Sequence, residues 1–302
     1  MSKHDLIPIL AVAALFQGAS PATEVFVASF RVSGRTVAIG KPVNISNNSG
    51  YDNQPSFTPD GAAVLFTSVR GDRKPDPANS AQTGSDIYRY ELASNRVSQV
   101  TVTNESEYSP TVMPDGKHIS VIQVESDGTQ RLWKFPLTGG KPEVILRDVK
   151  PVGYHAWADA RTVALFVLGE PPTLQLADIS TGKAEIIAND VGRSILRIPA
   201  GGISFVHRET VGEQRALIVK ELDPVSRQVR PLVRVIPGVD APDLAWTPDG
   251  MLLLAANGKL HGWRRGADAF EVVADLESIG LRGVSRMAVS PSGDRLAVVA
   301  QP

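Results

Sequence analysis

PSFTPDGAAVLFTS, residues 55–68, places two short apolar strands on either side of a Thr-Pro-Asp-Gly turn. The turn chemistry is local: proline pre-sets φ, aspartate accepts from backbone N–H groups further on, and glycine takes the positive φ. The motif recurs. SPTVMPDGKHISVI (109–122), DLAWTPDGMLLLAA (243–256) and RMAVSPSGDRLAVVA (286–300) are clear copies, and HAWADARTVALFVL (155–168) and LRIPAGGISFVHR (196–208) are eroded ones. Counted from Pro59, Pro114, Asp159, Pro199, Pro248 and Pro291, the intervals are 55, 45, 40, 49 and 43 residues. That period suits a four-stranded propeller blade of roughly 40–50 residues. The aspartates and glycines of these turns read as turn builders.

Each unit carries two further strands. DIYRYEL (86–92) and RVSQVTV (96–102) follow the first hairpin; RLWKFPL (131–137) and PEVIL (142–146) follow the second. Tyr88, Tyr90 and Leu92 match Trp133, Phe135 and Leu137 at a period of two. Later units repeat this as LQLADI with KAEII, LIVKEL with VRPLV, and LHGW with FEVVA. The last unit stops after its second strand, while TEVFVASFRV (23–32) and TVAIGKPVNIS (36–46) form a third and fourth strand lacking a first and second. Joining the ends completes a blade and removes the open edges. The expected fold is all-β: a six-bladed β-propeller in which N-terminal strands complete the C-terminal blade.

This repeat, an apolar strand, Ser/Thr-Pro-Asp-Gly, a second apolar strand, then Ile-Tyr and a Gly-Gly turn, resembles the Pro-Asp β-propeller repeat of TolB-like proteins over nearly all the chain after residue 22. The family's namesake is a periplasmic translocation protein with an α/β domain ahead of its propeller. This sequence shows no such domain, which weighs against a Tol–Pal role. Related propellers precede serine-peptidase domains, and no such domain follows here.

LIPILAVAALF (6–16), eleven uncharged residues before QGASPA, has the length and flanks of a secretory leader and is too short to span a bilayer. Residues 1–22 are therefore read as a signal peptide cleaved after Ala22, and 23–302 as one propeller domain, periplasmic or secreted, with no transmembrane anchor once cleaved. The alternative is an uncleaved segment packed on the propeller. The chain has no cysteine, hence no disulfide and no thiol nucleophile. Thirty-one basic against 32 acidic residues, without a basic run, argue against nucleic acid as the main ligand.

No His-Glu-x-x-His, Gly-x-Ser-x-Gly, phosphate-binding loop or calcium loop is present, so no catalytic set, cofactor or metal ligand is assigned. In a propeller, the connections entering each first strand surround one mouth of the central channel. That rule places Asp52, Asn53 and Gln54 at the mouth from blade 1, Glu107 and Tyr108 from blade 2, and Tyr154 and His155 from blade 3. Arg193 and Ser194 come from blade 4, Asp240 and Asp243 from blade 5, Ser285 and Arg286 from blade 6. His155 stands where the first two blades have Pro55 and Pro110; it reads either as a metal ligand or general base or as a histidine hydrogen-bonded beside Trp157 at a blade interface. Arg193 and Arg286 either meet ligand carboxylates or pair with Asp243 or Glu107. The segment SVRGDRKPDPANSAQTGSD (68–86) is a polar excursion on the mouth side, a flap or a tolerated insertion.

The leading functional reading is a non-catalytic binding propeller that holds a protein segment, peptide or small polar ligand at the channel mouth in the cell envelope. The alternatives are a lyase or hydrolase acting on a sugar or lactone in the channel, and an envelope scaffold binding through blade sides. A Tyr154→Ala/Arg286→Ala chain is expected to lose capture with thermal stability nearly unchanged.

Overall fold

The structure is a computed structural model that describes residues 22–70, 84–138, 140–212 and 214–302. The expected leader, apart from Ala22, and most of the 68–86 excursion lie outside the described residues.

Six antiparallel sheets form the ring. Lettering the strands a to d from the axis outward, blade 1 is Asp52–Phe57, Ala63–Ser68, Asp86–Glu91 and Arg96–Gln99. Blade 2 runs from Ser106–Val112 to Glu143–Val144, and blade 3 from Val152–Trp157 to Lys183–Asn189. Blade 4 runs from Val191–Arg197 to Val229–Arg234, and blade 5 from Leu244–Trp246 to Glu271–Asp275. Blade 6 takes Arg286–Val289 and Arg295–Ala300 from the C-terminus and Glu24–Ser33 from the N-terminus.

The closure is a direct ladder, with Glu24 opposite Ala300 and Ser29 opposite Arg295. The outer strand of blade 6 differs from the single strand expected over 36–46. Thr36–Ile39 and Val43–Asn44 pair separately with opposite halves of Glu24–Ser33. Gly40, Lys41 and Pro42 separate them, and proline has no N–H for the ladder.

The turns follow the sequence. Gly61 has φ 68° and donates to the Thr58 carbonyl at 2.8 Å, while Asp60 accepts from Thr58 Oγ1 at 2.6 Å and from Ala62 N–H at 3.0 Å. Thr247, Asp249 and Gly250 repeat that geometry.

Packing explains why the repeats need one another. Among the described residues the buried apolar side chains form six clusters, one per junction: Leu65 and Ile87 of blade 1 meet Ile119, Val121 and Phe135 of blade 2, and Val25, Val27 and Val299 of blade 6 meet Val64 and Phe66 of blade 1. The remaining four straddle blades 2 and 3, 3 and 4, 4 and 5, and 5 and 6. Each fully buried Leu, Ile or Phe contributes about 1.5–3 kcal/mol, and an isolated blade would expose both its faces.

Candidate functional site at the channel mouth

Strand a enters the channel through an irregularity. In blade 1 the ladder shifts between Asn53 and Ser56, and in blade 2 between Tyr108 and Thr111. The residues inside these bulges are Gln54 and Ser109, with φ 56° and 55°, each followed by a proline that cannot donate. The Gln54 side chain stitches the two blades, accepting from Thr67 Oγ1 and from Ser109 N–H, both at 2.9 Å. Asn53 is buried and accepts from Gln54 N–H at 2.8 Å. Blades 3 and 4 shift register at the same place, after Val152 and Val191.

Four of the residues expected at the mouth form one connected group. Asp243 of blade 5 accepts from Arg286 of blade 6 at 3.0 Å through Oδ1 and from Arg193 of blade 4 at 2.7 Å through Oδ2. Arg286 also donates to the Tyr154 hydroxyl of blade 3 at 2.8 Å, its guanidinium 5.0 Å from that ring's centre. Blades 3 and 6 stand opposite in a ring of six, so this bond braces the channel across its diameter. Asp243 and Arg286 are largely enclosed, with side chains 10% and 15% exposed, whereas Arg193 is 37% exposed. Burial lowers the proton affinity of Arg286, but Asp243, then Tyr154 and Tyr51, outweigh it and hold the group above its ordinary range. The brace alters the expectation that Tyr154→Ala/Arg286→Ala leaves thermal stability nearly unchanged: removing an enclosed, doubly bonded guanidinium costs stability.

Tyr51 belongs here and was missed, because the sequence reading began the mouth at Asp52. Burial pushes its phenol above the usual range, with Arg286 opposing, and Tyr154, Tyr108 and Arg193 are also within electrostatic reach. With Tyr108, which packs on the blade 2–3 cluster, every blade contributes one residue: Tyr51, Tyr108, Tyr154, Arg193, Asp243 and Arg286. The repeat spacing gave no signal for it, since that spacing aligns Tyr51 with the buried Ser106 and not with Tyr108.

Asp52 and Glu107 lie outside this group. Both are fully buried at blade junctions. Asp52 accepts from Ser68 Oγ at 2.5 Å and Asn48 Nδ2 at 3.0 Å, with Arg70 at 3.5 Å. Burial raises its carboxyl, and the bonds from Ser68 and Asn48 oppose that. Glu107 accepts from Thr101, Thr103 and Gln123 and is pushed up to about 7, chiefly by burial.

His155 also turns away from the mouth. Its Nε2 meets Ser120 Oγ of blade 2 at 2.7 Å, and Trp157 Nε1 donates to the same oxygen at 2.9 Å. Burial pushes the imidazole down to about 4, so it is neutral near pH 7. Blade 5 repeats the tryptophan bond, from Trp246 Nε1 to Ser204 Oγ at 2.8 Å. Among the described residues no group of three or more His, Asp or Glu side chains is arranged to hold a metal ion. Ser194 Oγ accepts from Leu244 N–H across the blade 4–5 junction, and Ser285 N–H donates to the Val299 carbonyl, extending the inner ladder of blade 6. Asp240 lines a cleft of about 230 Å³ between blades 3 and 4, with Tyr154, Phe166, Leu168, Arg193, Val206 and Leu217 also on its walls. Exposed apolar residues on outer strands, Val43, Ile186, Val229 and Val272, are spread over four blades. Among the described residues no helix is long and apolar enough to cross a membrane.

No protein-family model matches the sequence, and no curated protein matches it. Solved structures do. A protein assigned as TolB from Agrobacterium tumefaciens superposes with a TM-score of 0.65 at 15% identity, covering 92% of this chain and 98% of that one. TolB from Acinetobacter baumannii gives 0.58 at 14%, covering 92% of this chain and 64% of that one. An oligogalacturonate lyase in complex with manganese gives 0.57 at 13%, covering 86% and 80%. Identities this low establish architecture and leave activity open. By its fold, the chain is a TolB-like six-bladed β-propeller.

Proposed function

We propose that this chain is an exported, non-catalytic binding propeller that holds a protein segment or a polar ligand at its channel mouth. In this reading residues 1–22 are removed on export, 23–302 act as one domain in the periplasm or outside the cell, and the envelope is the site of action. The observation that carries it is the contrast between repeated and unrepeated positions. Turns and junction cores recur from blade to blade, whereas the mouth mixes three tyrosines, two arginines and an aspartate and joins Arg193, Asp243, Arg286 and Tyr154 into one hydrogen-bonded group. A ring that needed only closure would have no use for that mixture.

The test is capture with the exported chain as bait, comparing wild type with Arg193→Gln. Arg193 is the most exposed of the three ionic members, and its loss leaves Asp243 still paired with Arg286. Loss of the captured partner, with only a small fall in melting temperature, is the expected result; full retention moves the site elsewhere.

A second reading is favoured by one finding, the fold likeness to oligogalacturonate lyases: a lyase or hydrolase working on a sugar or lactone in the channel. Incubation with oligogalacturonate, followed by product size, separates the two. Cleavage that disappears in Tyr154→Phe would replace the binding reading with the enzymatic one.

A further inference from the structure

The mouth and the cleft between blades 3 and 4 share Tyr154 and Arg193, and their chemistries complement each other. Within the mouth two guanidiniums share one carboxylate, which leaves an excess positive charge among Arg193, Asp243 and Arg286. Each guanidinium offers a planar fork of N–H donors, and the bonds to Asp243 and Tyr154 take three of them. Arg193 Nε is buried and has no acceptor. The Arg193 side chain as a whole is 37% exposed, so its terminal N–H groups are the ones open to a ligand oxygen.

The adjoining cleft is apolar on one side, with Phe166, Leu168, Val206 and Leu217. Gly192 helps to open it: a Cβ there would stand 3.1 Å from the Val206 Cβ, tighter than ordinary contact. Of the two other charged groups on its walls, Arg208 is paired with Asp190 at 3.4 Å, and Asp240 stands on the connection into blade 5, far in sequence from Phe166 and Leu168. A volume of about 230 Å³ holds something the size of one branched or aromatic side chain.

We propose that mouth and cleft together form a site for a small organic acid with an apolar tail, its carboxylate seated on Arg193 and Arg286 and its tail in the cleft. This rests on the reading of the mouth as a binding site and supplies the ligand's chemical class. A carboxylate fits because its two coplanar oxygens match the guanidinium fork and its single charge balances the single excess one. A free acid and the last residue of a peptide present the same group.

Calorimetric titration tests this with N-acetyl-L-leucine, its amide, acetate, and a longer peptide ending in a free leucine. N-acetyl-L-leucine should bind about tenfold or more tightly than either acetate or the amide, a difference of about 1.4 kcal/mol. Arg193→Gln should abolish the preference for acid over amide. Leu168→Glu, at a position 39% exposed, should abolish the preference over acetate. Should Arg193→Gln misfold, Arg193→Lys keeps the charge and loses the fork, and should weaken the acid in the same direction. Equal binding of acid and amide, or no binding of either, overturns the carboxylate; equal binding of acetate and N-acetyl-L-leucine overturns the cleft. Both preferences with a tighter peptide assign the ligand to a chain end, and without one to a free acid. A captured partner that is lost in Arg193→Gln, with no acid binding, keeps the mouth as a binding site and removes the acid from it.

Discussion

The junctions on either side of blade 1 and the junction between blades 2 and 3 solve the same packing problem with opposite chemistry. Before blade 1, Ser46, Asn48, Asp52 and Ser68 form a buried polar cage, with Glu24 bonded to Ser46. Before blade 2, Thr101, Thr103, Glu107 and Gln123 form the same cage, each member 55 residues further along. Before blade 3, the equivalent positions hold Leu146, Asp148, Val152 and Leu168, and Leu146 and Val152 are buried in the apolar cluster. A buried carboxylate is tolerated only where donors surround it, so members of the cage must change together. The apolar version leaves Leu168, just past strand b of blade 3, to line the cleft instead of closing a cage. The cleft beside blade 3 thus adjoins a junction without a carboxylate cage, and a second cavity, of about 300 Å³, is lined by Met251, Trp263 and Val273 of blade 5 and by Arg35 of blade 6.

The comparison can be broken most severely by mixing the two chemistries. Val152→Glu puts a carboxyl among Leu146, Val163 and Leu165 without its donors, and should cost about 3 kcal/mol or more, read by urea denaturation. The same substitution leaving stability unchanged would show that the cage residues are incidental.

Removing Arg286 acts next. Arg286→Ala leaves the Tyr154 hydroxyl without its donor and Asp243 with one arginine, at a cost of about 2 kcal/mol. Arg193→Gln should cost well under half as much, because that side chain is more exposed. Equal melting temperatures for the two variants would mean that the cross-channel brace contributes nothing.

On the apolar side, Trp157→Phe loses the Nε1–H bond to Ser120 and part of the buried indole bulk, a combined loss of about 2 kcal/mol. The matching Trp246→Phe should behave alike through Ser204.

The smallest effect is a pH dependence that distinguishes the two junction chemistries. Glu107 has a folded pKa of about 7 against an ordinary value of 4.5. The folded state therefore holds its proton more tightly, and stability from this group, fully present below pH 4.5, is lost as pH rises through 7. His155, held at about 4 against 6.5, runs the other way and costs stability as pH falls from 6.5 toward 4. Glu107→Gln should raise the melting temperature at pH 8 and remove the loss between pH 6.5 and 7.5, where His155 contributes little. An unchanged profile in that variant would mean that Glu107 is already ionised in the fold at neutral pH.

Much of the architecture was legible because its causes are local. Thr58, Asp60 and Gly61 build their turn from neighbours within five residues, and the period-two alternation of Tyr88, Tyr90 and Leu92 needs no knowledge of the rest of the chain. Closure followed because the leftover strands at the two ends complement each other. The mouth was only partly legible. Arg193, Asp243, Arg286 and Tyr154 converge, but Asp52, Glu107 and His155, reached by the same alignment, are sealed into junctions.

From the sequence alone came the repeat, the strand order and the ring, since periodicity and turn chemistry act over a few residues. The folded ring decided which of the strand-a residues meet at the axis. Successive side chains alternate between the two neighbouring blades, as His155 and Trp157 toward blade 2 and Ala156 toward blade 4 show, and bulges at Gln54 and Ser109 and after Val152 and Val191 move that alternation by one place or more. A shift of that kind depends on the partner strand and leaves no reliable mark in the residues themselves.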